Sequence, residues 1–225
     1  MNWQAILLTL KLATCVSALL IMIGLPIAYW IAFARFRGKF LVEAAVALPL
    51  ILPPTVIGFY ALLAFGPNTT LGRWLIRMVG HSLAFTFAGL VVASVIYSLP
   101  FAVQPFVSGF ASVDPELVKT AATLGAGRWR RFAKVVLPLS RGAVLTGIVL
   151  SFAHTIGEFG VVLMVGGNIP GVTRTVSVDI FDRVQEFDFR AANQTSLVLL
   201  VFSFVLLSIV YGLGRKSWRI GRVRA

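Results

Sequence analysis

Residues 114–138 read DPELVKTAATLGAGRWRRFAKVVLP, a long polar run between two apolar segments, and they spell two short helices joined at a glycine turn. Asp114 supplies an N-cap oxygen, Pro115 takes the first helical position, and Glu116 sets a negative charge in the first turn. Leu117, Ala121 and Leu124 recur at i, i+4 and i+7, a narrow apolar stripe. Gly125-Ala126-Gly127 ends this helix with residues that tolerate left-handed backbone, leaving a notch poor in side chains. A second helix follows, with Trp129, Phe132 and Val136 on one face and Arg130, Arg131 and Lys134 pointing elsewhere. Pro138 is expected to stop it.

What flanks this run decides the class. The chain has 225 residues, 58% hydrophobic and only 12% charged, with a mean hydropathy of +0.91. A soluble domain of this size has no use for so much apolar surface, so the chain is a polytopic membrane protein. Five stretches, 12–34, 44–66, 83–108, 142–165 and 191–214, each exceed the roughly 20 residues a spanning helix needs. The fold class is therefore all-α: a bundle of five spanning helices, a polar helix-turn-helix loop, and a short extra helix at the far side.

The net charge of +12 does not indicate nucleic acid, because the cations gather in a few loops. Lys and Arg number three in 35–43, six in 114–141 and five in 215–225, while six fall on the opposite side. The positive-inside rule then puts the N-terminus outside, the C-terminus in the cytoplasm and the 114–138 loop inside. The basic tail, Arg215, Lys216, Arg219, Arg222 and Arg224, reads as an inner-face anchor. The first span is too long for a signal-peptide core and reads as retained. Cys15, the one cysteine, lies within it and reads as a small core residue.

The loop resembles the cytoplasmic coupling loop of ABC-importer permeases, whose pattern is Glu-Ala-Ala, three residues, Gly, nine residues, an aliphatic residue, any residue, then Leu-Pro. Aligned on Gly125, the aliphatic position is Val135 and the final pair is Leu137-Pro138. The triplet falls on Lys119, Thr120 and Ala121, of which only Ala121 matches. Spacing from the glycine to Leu-Pro is the stronger half of the match. The resemblance implies that Lys119, Thr120, Ala121, Leu124, Gly125, Ala126, Gly127, Trp129 and Arg130 meet a nucleotide-binding subunit. A basic loop lying on lipid headgroups is the plainer alternative, but headgroups require no notch at a fixed distance from Leu-Pro. Glu43-Ala44-Ala45 spells the triplet literally, yet no glycine follows at the right distance. Glu43 reads instead as a first-turn residue of the second helix.

Along the chain, residues 1–11 form a short outer lead with Trp3 at the interface, and Gly24 and Pro26 bend the first span. The second span, ALPLILPPTVIGFYALLAFGP, carries Pro49, Pro53, Pro54 and Gly58. An opened helix at membrane depth must face protein or water, so this helix either lines a pathway, with Pro53, Pro54 and Thr55 as candidates, or is a kinked packing helix. Its run LPLILPPTVIGFY also resembles the second span of molybdate permeases. Residues 69–82 form an outer loop or interfacial helix, and His81 reads as a surface residue. Pro100 bends the third span. His154 and Glu158 fall four residues apart on one helical face of the fourth span. Ionisable groups in a span usually face protein, so these two either pair or border the pathway near an outer gate.

Dense glycines follow, in GEFG (157–160) and GGNIPG (166–171), and then Thr173 and Thr175. Exposed amides there can hold an oxyanion, and a tight turn explains the glycines equally well. This series again resembles molybdate permeases, and the likeness covers about residues 8–214. Residues 176–190 are acidic and amphipathic, with Val178, Phe181 and Val184 on one helical face. That helix either docks a periplasmic binding protein or caps the bundle.

The sequence contains no phosphate loop; Gly214-Arg215-Lys216-Ser217 is a superficial echo that follows a span rather than a strand. Protease and esterase signatures are missing too. No cofactor and no metal is expected on this chain. The resemblance implies ATP and Mg on a partner subunit, two copies of this chain around one pathway, and a periplasmic oxyanion-binding protein. The implied role is the permease of a bacterial inner-membrane molybdate importer, with sulfate or tungstate as the alternative cargo. A passive channel or secondary carrier is the reading from another class; it predicts ionisable relays in several spans, whereas only His154 and Glu158 qualify.

Overall fold

Three helices gripping one phenylalanine hold the bundle together. Helix α1 spans Trp3–Phe33, α5 spans Phe87–Ala111 and α9 spans Arg141–Gly157. Phe106 on α5 is fully buried between glycines of its two neighbours. A Cβ on Gly24 of α1 would lie 3.3 Å from the Phe106 ring, and one on Gly147 of α9 would lie 2.6 Å from it. Without a hydrophobic driving force between helices in lipid, such close approach through small residues is what brings spans together. The computed structural model describes residues 2–34 and 36–221, with side chains through Ser208. Arg35 and the side chains of the basic tail lie outside that description.

The expected outer lead is not separate from the first span. Asn2 caps α1, accepting from the Ala5 amide at 3.2 Å, and the helix runs unbroken for 31 residues with Pro26 inside it. The second span departs further from expectation. It divides into α2 (Lys39–Ile51) and α3 (Pro54–Phe65), which meet at 109°. Proline at 53 and 54 removes two amide donors and forces the preceding residues out of helical backbone, so Leu52 and Pro53 are extended. Glu43 sits one residue beyond the first turn of α2, paired with Lys39 at 3.6 Å.

Helix α4 (Thr70–Val79) fills the expected outer segment, capped by the Thr69 hydroxyl and ended by left-handed Gly80. His81 beyond it is exposed. After α5 come α6 (Pro115–Thr123), α7 (Arg128–Arg131), a π-helical turn at 132–136 and α8 (Leu137–Leu139). The fourth expected span is interrupted at Glu158 and Phe159, leaving α9 and a separate α10 (Gly160–Gly166). Helix α11 (Val176–Gln185) and the long α12 (Phe189–Gly221) complete the chain. Among the described residues every regular element is helical. Helices α1, α5 and α12 are long and apolar enough to cross a membrane alone. Counting each bent pair as one span, α2 with α3 and the 128–139 segment with α9 (79°), raises the number to five.

Candidate functional site: an exposed helical elbow and two broken spans

The 114–138 segment folds as its sequence predicts at both caps. Asp114 accepts from the Glu116 amide at 2.9 Å. At the other end of α6 the Gly125 amide reaches Ala122 O and the Ala126 amide reaches Ala121 O, both at 3.0 Å. That pair of bonds defines a Schellman turn, which requires the positive φ of +80° found at Gly125. A Cβ at Gly125 or Gly127 would meet nothing within 4 Å, so the notch is open.

Helix α6 buries no residue. Lys119, Thr120, Leu124, Gly125, Gly127, Trp129 and Arg130 are exposed, and Ala121 and Ala126 half-buried. Leu124 and Trp129 are 82% and 78% exposed. Among the described residues nothing buries the predicted stripe of Leu117, Ala121 and Leu124. The second face divides: Phe132 and Val136 are buried, and Trp129 is not. The Phe132 ring packs edge-on against Tyr29 at 5.1 Å and Phe110 at 5.7 Å, which ties the elbow to α1 and α5. Pro138 does not stop the helix. The Leu137 amide bonds Phe132 O five residues back, and this wide π turn makes room for the proline ring. The helix ends two residues later at Ser140, whose hydroxyl is turned back on the Val136 carbonyl.

In the spans, the two chain breaks meet. Pro54, at the start of α3, packs on Gly160 at the start of α10, where a Cβ would lie 2.8 Å from the proline Cβ. Pro53 and Thr55 are exposed beside this junction, and Pro54 is half-buried. His154 and Glu158 do not share a helical face as expected, and they do not pair. Glu158 caps α9 in extended backbone (φ −66°, ψ 128°), so the break turns it away from the helical register. His154 Nδ1 is instead 3.0 Å from Ser98 Oγ, and the imidazole stacks on Phe101 at 3.8 Å. The Ser98 hydroxyl also meets Thr155 Oγ1 at 3.1 Å. Glu158 is 3% exposed and both of its carboxylate oxygens lack a protein partner, as does the Ser94 hydroxyl. Buried polar contacts such as Ser98 with His154 are invisible in the sequence, because they join helices 56 residues apart.

On the far side, the glycine-rich loop is a tight turn. The amides of Val172, Thr173 and Arg174 all converge on Ile169 O, and the Ile169 amide goes to Thr173 Oγ1 at 2.9 Å. Those amides are engaged internally rather than presented to an anion. Arg174 donates to Asn168 at 2.7 Å, Asn168 donates to Asp182 at 2.8 Å, and Arg174 lies 3.5 Å from Asp182. The face of α11 also differs from expectation: Val178 is buried, Phe181 and Val184 are exposed, and Asp179 is 3% exposed. Asp179 accepts from Asn2 and from Arg183, both at 2.8 Å, clamping the start of α1 to α11. Its hydrogen bond raises the Arg183 guanidinium above its ordinary value. The i, i+4 spacing of Asp179 and Arg183 was the one sequence signal for this clamp. Among the described residues no three His, Cys, Asp or Glu side chains gather as a metal site.

A helical membrane bundle with an exposed, capped elbow between spans is the architecture of a transporter membrane subunit. Residues 21–217 match the family model described as binding-protein-dependent transport system inner membrane component, and the chain belongs to that family. It is an integral inner-membrane protein. It is 50% identical over 208 residues to the molybdenum transport system permease protein ModB of Azotobacter vinelandii, covering 92% of each chain. It is 35% identical to ModB of Escherichia coli strain K12 over 100% of this chain and 96% of that one. The sulfate transport system permease protein CysT of the same strain is 37% identical, over 88% of this chain and 70% of its own. Among solved structures, a bacterial ABC transporter importing alginate superposes with a TM-score of 0.73 at 19% identity, over 95% of this chain and 78% of that one. The MetNI methionine ABC transporter in an inward-facing conformation gives 0.74 at 14% identity, over 96% of both. These two likenesses speak for the fold.

Proposed function

We propose that this chain is the permease subunit of an ATP-driven importer that carries molybdate across the inner membrane by alternating access. The observation that carries the cargo is the 50% identity to the Azotobacter vinelandii molybdenum permease across 92% of both chains. The observation that supports the drive is the elbow. Its α6 stripe and Gly125 notch are exposed while Phe132 and Val136 root it in the bundle. A surface built this way receives force from outside and passes it to the spans.

In this reading Lys119, Thr120, Ala121, Leu124, Gly125, Ala126, Gly127 and Arg130 seat on a separate ATP-binding subunit, with Trp129 at the rim. ATP and Mg belong to that subunit. Two copies of this chain enclose the pathway, since the opened backbone at Leu52 and Pro53 between α2 and α3 must face protein or water rather than lipid. The N-terminus is periplasmic and the C-terminus cytoplasmic. A periplasmic oxyanion-binding protein delivers cargo at the α11 side. Pro53, Pro54 and Thr55, at the meeting of the two breaks, border the pathway, and His154 supports it from within the bundle. The CysT likeness favours sulfate as the second reading.

The test is uptake into proteoliposomes holding this chain, its ATPase and its binding protein, with molybdate, tungstate and sulfate offered separately. Molybdate uptake that requires all three components and ATP is the expected result. Sulfate uptake alone corrects the cargo. Flux without ATP or partners overturns the proposal in favour of a channel.

A further inference from the structure

The outward face of α1 carries a groove of about 520 Å³, within the range of small-ligand sites. Met22, Leu25 and Pro26 form its apolar length, Tyr29 and Trp129 stand at one end, and Arg128 borders that same end. From Met22 to Tyr29 the groove follows about 10 Å of helix. Arg128 makes no ion pair among the described residues. Arg130, Arg131 and Lys134 lie close in sequence, and no acidic residue occurs between 117 and 157. The groove is thus an apolar trough at membrane depth with uncompensated positive charge at its loop end.

We propose that this groove binds an anionic phospholipid of the cytoplasmic leaflet, one acyl chain along Met22, Leu25 and Pro26 and the phosphate against Arg128. A soluble anion would leave the trough bare, and a zwitterionic lipid would answer the cationic cluster with no net charge. Only an amphiphile with a negative head matches both ends. Trp129 suits the boundary, its ring spanning apolar and wet surroundings. Because α1 and the elbow both line the groove, the lipid braces the elbow against the first span. The placement in the inner leaflet rests on the orientation proposed above.

The experiment replaces Met22 with photoreactive p-benzoylphenylalanine in the full transporter, held in nanodiscs of equal parts phosphatidylglycerol and phosphatidylcholine. After irradiation, intact-mass analysis is expected to show phosphatidylglycerol adducts several-fold over phosphatidylcholine adducts. Adding Arg128→Gln is expected to abolish that preference while adducts of both lipids persist, which confirms a folded groove. Equal adducts in the parent, an unchanged preference with Arg128→Gln, or cross-linking to a second copy or to the ATPase overturns the lipid site. ATP-dependent uptake is measured on the same protein preparations reconstituted into sealed proteoliposomes of the same lipid composition. Uptake with no lipid preference defeats this inference alone, and lipid preference without ATP-dependent uptake defeats the importer reading alone.

Discussion

Gly58 on α3 packs directly against Met164 on α10: a Cβ at position 58 would lie 2.7 Å from the Met164 Cβ and 3.2 Å from the Val161 Cα. The second of these is backbone and cannot swing away. This contact joins the two broken spans, so position 58 sets how closely they approach. Gly58→Val is expected to destabilise the chain by about 1–3 kcal/mol through overpacking. A lower unfolding temperature of the purified complex, with uptake reduced in step, is the expected result. An unchanged melting point would mean that α3 and α10 do not meet in this way.

Gly125 makes the opposite prediction. It holds the left-handed turn, yet nothing lies within 4 Å of its missing side chain. Gly125→Ala should cost the fold only about 1–2 kcal/mol, the price of left-handed backbone for an L-residue. Gly125→Trp adds a side chain that the chain itself tolerates but a partner seated in the notch does not. ATPase co-purification and uptake should therefore fall at least ten-fold for Gly125→Trp, while stability falls about as much as for Gly125→Ala. Gly125→Ala carries the same left-handed strain with little added bulk and serves as the matched control.

These two glycines also mark how far the sequence could be read. The caps of α6 and the Gly125 turn were legible because capping and turn chemistry are local, and α4 answers one of the two readings of 69–82, a loop or an interfacial helix. Spans 1, 3 and 5 were legible from apolar length. The second and fourth were not legible as broken helices. Hydropathy sees composition, and Leu52-Pro53 and Glu158-Phe159 are breaks of backbone direction inside apolar runs. Double proline was a signal for the first break. The second had only Gly157 and Gly160, which a continuous membrane helix also accepts. Pro138 misled because a π turn upstream absorbed it, an outcome no pairwise sequence rule encodes. The contacts of His154 and Asp179 join residues 56 and 177 positions apart and needed the fold itself.

Ser98 carries two hydroxyl contacts at once, to His154 Nδ1 and Thr155 Oγ1. Ser98→Ala removes both and leaves His154 Nδ1 unpaired, while Thr155 keeps the Ser151 carbonyl, at a cost of about 1–3 kcal/mol. Ser98→Thr retains the hydroxyl and should recover part of the loss. Thermal unfolding of the two variants side by side tests the contact; equal stability of Ala and Thr would place the imidazole's partner elsewhere.

Asp179 anchors the far side through Asn2 and Arg183. Asp179→Ala should cost about 1–3 kcal/mol, since it removes the bonds from Asn2 and Arg183 and frees the start of α1, while Arg183 keeps Asp188 at 3.7 Å. Asn2→Ala removes the donor to Asp179 and the N-cap acceptor for the Ala5 amide, and should cost about 1–2 kcal/mol. The double variant should cost less than the sum of the two, because the Asn2–Asp179 bond is lost in both, while the cap on Ala5 is lost only with Asn2. Hydrogen exchange at Ala5 and Ile6 gives a local readout, expected to rise in both single variants. If the two losses simply add, Asn2 and Asp179 act independently, and α1 must be held to α11 through Thr9, whose hydroxyl accepts from the Val176 amide at 2.9 Å.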